Sequence, residues 1–410
     1  MTYRKLSELV HLVDIKNTDC KVTRVIGVSI TKNFIPSVAN LNGVDLTKYN
    51  LIKKNQFACK LMSVGRDLQL PIDLYKEDDL ALISSAYYVF EVKDENEILP
   101  DYLNMWFRRK ETDRWVGYIS GGDVRGGISW DMFLEMDVNA PSIEKQREIV
   151  AQYQAVENKI NVNEQICEKL EATAQTLYKQ WFVDFEFPVP SATNLELVEG
   201  YKSSGGAMVF NQELEMEIPE GWEVDSFTKL CRIGGGGTPK TDVPEYWISG
   251  DVPFYSPGDK NENFYTIRTE KSITELGLKK CSSKLYPVNT TFVTARGATT
   301  GGLTLAGIPM AMNQTCYAIL SVIDKPIFTF YQTKSIIESI KSQAVGATFE
   351  AVVTKNFEES RIITPDYQTI EIFEKKVKHL FDQILNINFQ NQKLTQLQSL
   401  LLSRLATLEG

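Results

Sequence analysis

The stretch IGGGGTPKT at 233–241 holds the glycines and the Lys-Thr pair that could cradle a phosphate. A nucleotide-binding P-loop needs glycine directly before that pair, and Pro239 stands there instead. Two readings remain: a structural strand-to-loop turn, or a loop whose backbone and Lys240 approach the phosphates of DNA. A second spelling, Asp366 with Glu374 and Lys376, could assemble a metal-dependent nuclease centre. Such a centre rests on adjacent strands, whereas these residues open a heptad-patterned helix, so Asp366 reads as a helix cap or first-turn acid. The chain has only two histidines, His11 and His379, which removes most routes to zinc or to His-based catalysis. Six cysteines form no Cys-x-x-Cys pair and read as reduced thiols in a cytoplasm. No Asn-Pro-Pro-aromatic tetrapeptide of the adenine methyltransferases occurs. The residue types favour binding over turnover, with neither catalytic nor metal-ligating residues expected.

What could bind is a set of Arg, Lys, Asn and Thr side chains in loops, the types that read base edges and phosphates. In the second half of the chain these are Thr238, Lys240, Thr241, Arg296, Thr299 and Thr300. Arg296 follows the β-like run TFVTARG and enters a glycine-rich turn, from which it could reach a groove. In the first half the candidates are Lys32, Asn33, Lys60, Arg66 and Arg125. Asn313 and Gln314 are read as serving the fold. The formal charge of −9 argues mildly against nucleic acid. About half of the excess lies in residues 141–200, where 5 basic residues face 10 acidic ones. The remaining regions are close to neutral and can gather a basic face. No apolar run reaches the ~20 residues that cross a bilayer, and the charged N-terminus lacks a signal-peptide pattern.

These loops need elements to hold them, and the clearest are two long helices. PSIEKQREIVAQY begins at Pro141 and PDYQTIEIFEKKV at Pro365, and a slide of 224 residues brings the following segments into register. In the first, Ile149, Val156, Asn163, Leu170 and Leu177 are seven apart, with Tyr153, Ile160, Cys167, Ala174 and Trp181 offset by four. The second gives Phe373, Leu380, Ile387, Leu394 and Leu401, then Val377, Ile384, Asn391, Gln398 and Leu405. Interleaved heptad rows form a coiled-coil seam. The pairing residues expected are Ile149, Val156, Ile160, Leu170 and Leu177 against Phe373, Leu380, Ile384, Leu394 and Leu401. A helix of about 40 residues, roughly 60 Å long, cannot bury its stripe alone, so each is the other's obvious partner.

Upstream of each helix lie short β-like runs such as YYVFEV (87–92) and CYAILSVI (316–323). The slide holds at Gly122 and Gly346, then drifts to 235 where Phe57 meets Phe292, as unequal loops would cause. A Pro/Gly/Ser-rich connector divides the halves. The expected fold class is α/β (α+β): two globules joined by two long helices paired as an antiparallel coiled coil, with a pseudo-two-fold internal repeat. Boundaries fall at 1–140 for the first globule, 141–184 for the central helix, 185–364 for connector and second globule, and 365–410 for the distal helix. Pseudo-two-fold symmetry suits a DNA duplex and predicts a split target of two different half-sites.

The passage GWEVDSFTKLCRIGGGGTPKTDVPEYWISGDVPFYSPGDKN (221–261) carries a Gly-Trp entry, a Gly-Gly-Thr-Pro-Lys loop and a Tyr-Trp stretch. With LYKQWFVDFEFP (177–188) it resembles the specificity subunit of type I restriction–modification enzymes, over essentially the whole chain. The first globule departs most, having no Gly-Gly-Thr-Pro loop. The resemblance implies target-recognition domains and a non-catalytic subunit that binds double-stranded DNA and two methylation subunits, with restriction and translocase subunits in the full complex. It implies no cofactor in this chain, with S-adenosylmethionine, ATP and Mg belonging to the partners, and a cytoplasmic place in a bacterium or archaeon. Trp181, Phe182 and Phe185 are read either as core or as the patch that docks a methylation subunit. The rival reading is a scaffolding adaptor whose globules grip other proteins.

Overall fold

The computed structural model describes residues 3–37, 41, 43–62, 64–121, 126–190, 197–198, 200–260, 264–343 and 351–407. Two units divide it: Met1–Asn161 with Lys393–Gly410, and Val162–Gln392. In the first, β1 (Tyr3–Lys5), the single turn α1 (Leu6–Leu9) and β2 (Val10–Leu12) lead to a hairpin of β3 (Val25–Val28) and β4 (Phe34–Pro36). β5 (Asn50–Ile52), β6 (Phe57–Cys59), the turn α2 (Val64–Asp67), β7 (Ile72–Leu74), β8 (Ala81–Ile83) and β9 (Tyr88–Val92) follow. Helices α3 (Pro100–Phe107), α4 (Lys110–Ile119) and α5 (Trp130–Leu134) precede β10 (Asp137–Asn139), which returns antiparallel to β1. The sheets run β2-β9-β6-β7 and β4-β3-β8-β5. β6, β7 and β8 are buried at every position; β6 (Phe-Ala-Cys) and β8 (Ala-Leu-Ile) accordingly read as short unbroken apolar runs, while β7 carries the buried Asp73 between Ile72 and Leu74. Phe57 and Phe90 stack at 5.0 Å in the core between sheet and helices.

The long helix α6 (Ile143–Phe182) starts after Pro141, with Ser142 Oγ accepting from Lys145 N. Two small hairpins follow, β11 (Val189–Pro190) with β12 (Leu197–Val198) and β13 (Met208–Asn211) with β14 (Met216–Pro219). The second unit then builds β15 (Glu223–Ser226), β16 (Cys231–Gly235), β17 (Val252–Tyr255), β18 (Tyr265–Thr266) and β19 (Lys271–Ile273). After α7 (Glu275–Lys279) come β20 (Thr291–Thr294), β21 (Leu303–Ala306), β22 (Ala311–Met312) and β23 (Cys316–Ser321). Helices α8 (Pro326–Gln343) and α9 (Thr354–Glu359) lead to β24 (Arg361–Thr364), antiparallel to β15. The last helix is α10 (Tyr367–Arg404), capped by Asp366, whose Oδ1 accepts from Thr369 N at 2.9 Å.

The sheet order β2-β9-β6-β7 of the first unit recurs in the second as β16-β23-β20-β21, with β18 added at the edge. β4-β3-β8 recurs as β19-β17-β22, and the parallel pair β3–β8 matches the parallel pair β17–β22. β6 and β20, which contain Phe57 and Phe292, hold the same position in their sheets. Gly122 and Gly346, where the 224-residue slide was also read, lie outside the described residues.

Within the second unit the two long helices run in opposite directions. Asn163 Nδ2 donates to Gln390 Oε1 at 2.8 Å and to Asn391 Oδ1 at 2.6 Å. Farther up α6, the Trp181 and Phe182 rings meet Phe373 at 5.7 and 4.9 Å. In the first unit the start of α6 (Ile149, Val150, Tyr153) shares a core with Leu405, and half-buried Leu401 packs on it. Ile149, Phe373 and Ile384 are buried; Val156, Ile160, Leu170, Leu177, Leu380, Leu394 and Leu401 are half-buried.

Each long helix also caps a helix of its globule. Gln146 is fully buried, accepts from Leu99 N at 2.9 Å where α3 begins, and donates to Glu97 O and Pro141 O. Glu374 accepts from Ile327 N and Phe328 N at 3.0 and 2.8 Å, closing the first turn of α8. This accounts for the nuclease-like spelling: Asp366 and Glu374 each satisfy the start of a helix.

Candidate nucleic-acid interface

The antiparallel pairings of the second unit's five-stranded sheet decide which loops meet. Gly235 pairs with Tyr317 and Thr294 with Cys316, so the end of β16, the start of β23 and the end of β20 lie along one sheet end. β21 starts there too, since Val293 pairs with Leu303, and β18 runs parallel to β21. Segments 236–241, 295–302 and 313–315 therefore share that end with Lys260, and they contain all six candidates of the second unit.

The glycines of the first segment serve close packing. A Cβ on Gly236 would lie 1.7 Å from Asn313 O, and one on Gly237 would lie 2.1 Å from Ser282 Oγ. Only glycine lets this backbone press against the 312–314 strand end, where Gly237 N donates to Met312 O at 3.0 Å. Thr238 Oγ1 then donates to Gln314 Oε1. Trp247 Nε1 donates to Lys240 O at 2.9 Å, which fixes the backbone while the Lys240 and Thr241 side chains stay exposed.

Arg296, Thr299 and Thr300 lie between β20 and β21. Gly297 and Gly301 take φ values of +107° and +73°, and Thr300 Oγ1 donates to Gly297 O at 2.6 Å. Arg296 is exposed, and among the described residues neither it nor Lys240 has an ion-pair partner. Two exposed, unneutralised cations beside threonine hydroxyls suit a polyanion with readable edges.

In the first unit the corresponding sheet end carries residues 60–62 and 64–71 and the turn before β9, because Cys59 pairs with both Tyr88 and Ile72. Lys60 Nζ lies 5.9 Å from the Tyr87 ring centre, and Tyr87 Oη accepts from Val28 N at 3.3 Å. Arg66 is exposed but chelated by its neighbour Asp67 at 2.7 and 3.0 Å. Asn33 is exposed on the β3–β4 turn, with Nδ2 donating to Thr31 O at 3.1 Å. Arg125 lies outside the described residues.

Among the described residues no three His, Cys, Asp or Glu side chains gather as a metal site. Burial pushes the Cys231 and Cys316 thiols up to about 12, far from a reactive thiolate.

Residues 219–399 match the family model described as the type I restriction modification DNA specificity domain. The chain is 26% identical to the type I restriction enzyme HindI specificity subunit of Haemophilus influenzae, over 90% of this chain and 89% of that one. It is 25% identical to the MjaIX specificity subunit of Methanocaldococcus jannaschii, over 75% of this chain and 68% of that one. Its fold is similar to that of the S subunit of a type I restriction–modification system from M. genitalium. There the TM-score is 0.56 at 12% identity, covering 98% of this chain and 95% of that one. The chain is thus similar to type I restriction–modification specificity subunits in both sequence and fold.

Two expectations about the site residues need correction. Lys32 has a left-handed φ of +61° that turns its side chain into the fold, where it is 6% exposed. Its ammonium donates to Phe107 O at 2.6 Å and to Asp113 at 2.9 Å, so it is committed internally and is withdrawn as a DNA contact. Trp181, Phe182 and Phe185 are 1%, 6% and 2% exposed, packed with Trp222, Phe328 and Phe373. They are core and present no surface for a partner. Sequence reasoning missed Lys260, whose place at the sheet end follows only from the β18–β21 pairing. It also missed Lys341, whose Nζ reaches Gly301 O at 3.1 Å from α8. Gln314, read as serving the fold, does so as the acceptor for Thr238.

Proposed function

We propose that this chain is the non-catalytic specificity subunit of a type I restriction–modification enzyme and reads a split, asymmetric DNA target, one short word per globule, with the spacing set by the two long helices as an antiparallel coiled-coil spacer. One observation carries the reading: the same strand order occurs twice, and equivalent sheet ends bear different side chains. Repeated frames with unlike loops suit two different words on the antiparallel strands of one duplex. Residues 1–140 and 185–364 act as the target-recognition domains, the latter with its connector, and 141–184 and 365–410 as the spacer. A pseudo-two-fold repeat lets two methylation subunits bind in equivalent ways, and restriction and translocase subunits join the assembly in the cytoplasm of a bacterium or archaeon. In this reading Thr238, Lys240, Thr241, Arg296, Thr299 and Thr300 face the second word, and Asn33, Lys60, Arg66 and Arg125 the first.

Selection of the full chain on a randomised duplex pool tests this. The expected result is enrichment of two unlike words at one separation. Enrichment of nothing would favour the scaffolding adaptor and defeat the proposal.

A further inference from the structure

One equivalent hydrogen bond in each unit relates the reading segments of the two units at one position. In the second unit Val352, two residues before α9, donates its N–H to Ala295 O at 2.9 Å. In the first, Ile128, two residues before α5, donates its N–H to Leu61 O at 3.1 Å. Ala295 and Leu61 thus occupy the same place, and the residue after each emerges from the same sheet end. After Ala295 that residue is Arg296. After Leu61 it is Met62, which is 60% exposed.

Two other large apolar residues of this unit are also exposed. Leu68, on the same β6–β7 connection, is also 60% exposed and lies over Gly117, where a Cβ would come 3.4 Å from its Cδ2. The next residue, Tyr118, is the most exposed large hydrophobic of the described chain at 86%. Three such exposed side chains lie on the β6–β7 connection and on α4, which packs on it through Leu68. The β20–β21 connection of the second unit presents Arg296, Thr299 and Thr300 instead.

We propose that the first globule reads its word through apolar contact, with Met62, Leu68 and Tyr118 meeting thymine 5-methyl groups in the major groove, while the second reads by donation from Arg296. This rests on the split-target reading above. The chemistry differs at a matched position because each base pair shows a distinct major-groove edge. Thymine offers a methyl group, and guanine offers the two acceptors that an arginine fork fits.

The test replaces thymines in the selected duplex, one at a time, by deoxyuridine, which keeps every hydrogen-bonding group and loses only the methyl. The full chain is then titrated with each duplex, and Arg296→Ala identifies the second word as the one whose preference relaxes. The expected result is a loss of roughly fourfold in affinity per critical thymine, the size of one unburied methyl group. It should be confined to the first word and absent in Met62→Ser and Tyr118→Ser, both changes at exposed positions. Tolerance of deoxyuridine throughout the first word, a first word without thymine, or unchanged discrimination in the two variants would each overturn the inference while leaving the split target standing. Failure to select any pair of words would instead remove the split target, and this inference with it.

Discussion

Glu374 is spelled like a nuclease carboxylate and is used as a helix cap, and its surroundings give it a titration of its own. Burial pushes its carboxyl up to about 7, against the opposing pull of the Ile327 and Phe328 N–H groups and Lys325. Between about pH 4.5 and 7 the folded chain keeps this proton while the unfolded chain has released it. Stability through this group therefore falls as pH rises across that window and is level above it. Urea midpoints of Glu374→Gln should lack that slope, and an unchanged slope would refute the assignment. Glu374→Ala, which leaves two buried N–H groups unpaired, should cost about 1–3 kcal/mol or more. On the DNA side, Lys240→Ala should weaken binding to all sequences alike and lower the log–log salt slope by about one, the share of one phosphate. A base-specific effect would mean that Lys240 reads an edge. The sequence displayed the residue types of this site but not their burial. Lys32 looked like any loop lysine, because the left-handed turn that sends it toward Asp113 depends on contacts 81 positions away.

At the scale of elements, the long helices were legible because heptad rows are local in sequence, and the rows at 149–181 and 373–405 are buried or half-buried throughout. The amides in those rows are also explained. Asn163 is 1% exposed and bonded to Gln390 and Asn391, so it joins the helices through polar contact. Asn163→Leu should cost about 1 kcal/mol by removing its two hydrogen bonds to α10. Adding Asn391→Leu should recover part of it, at the expense of a polar register mark. Chemical denaturation of the two variants checks both. The Gly-Gly-Thr-Pro loop was legible as a loop, but its packing was not. Gly236→Ala should disrupt segment 236–241, since nothing can move Asn313 O out of a 1.7 Å approach without shifting the strand end. Binding should be lost at the second word while the first is still read, and retention of both would contradict the packing argument.

For the whole molecule, the repeat was visible in sequence only where helices keep their length. Strands drifted from an offset of 224 to 235, and their shared order emerged from pairings such as Cys59 with Tyr88 and Thr294 with Cys316, which no local pattern announces. The account stands on the long helices fixing the distance between two words. The most direct measurement inserts one heptad into α6 after Asn161 and another into α10 before Lys393, keeping the seam in phase. Seven residues add ~10 Å at 1.5 Å each, or about three base pairs at ~3.4 Å. Selection of this variant on a randomised pool should return the same two words with a gap longer by about three. The same words at the original gap would contradict the account.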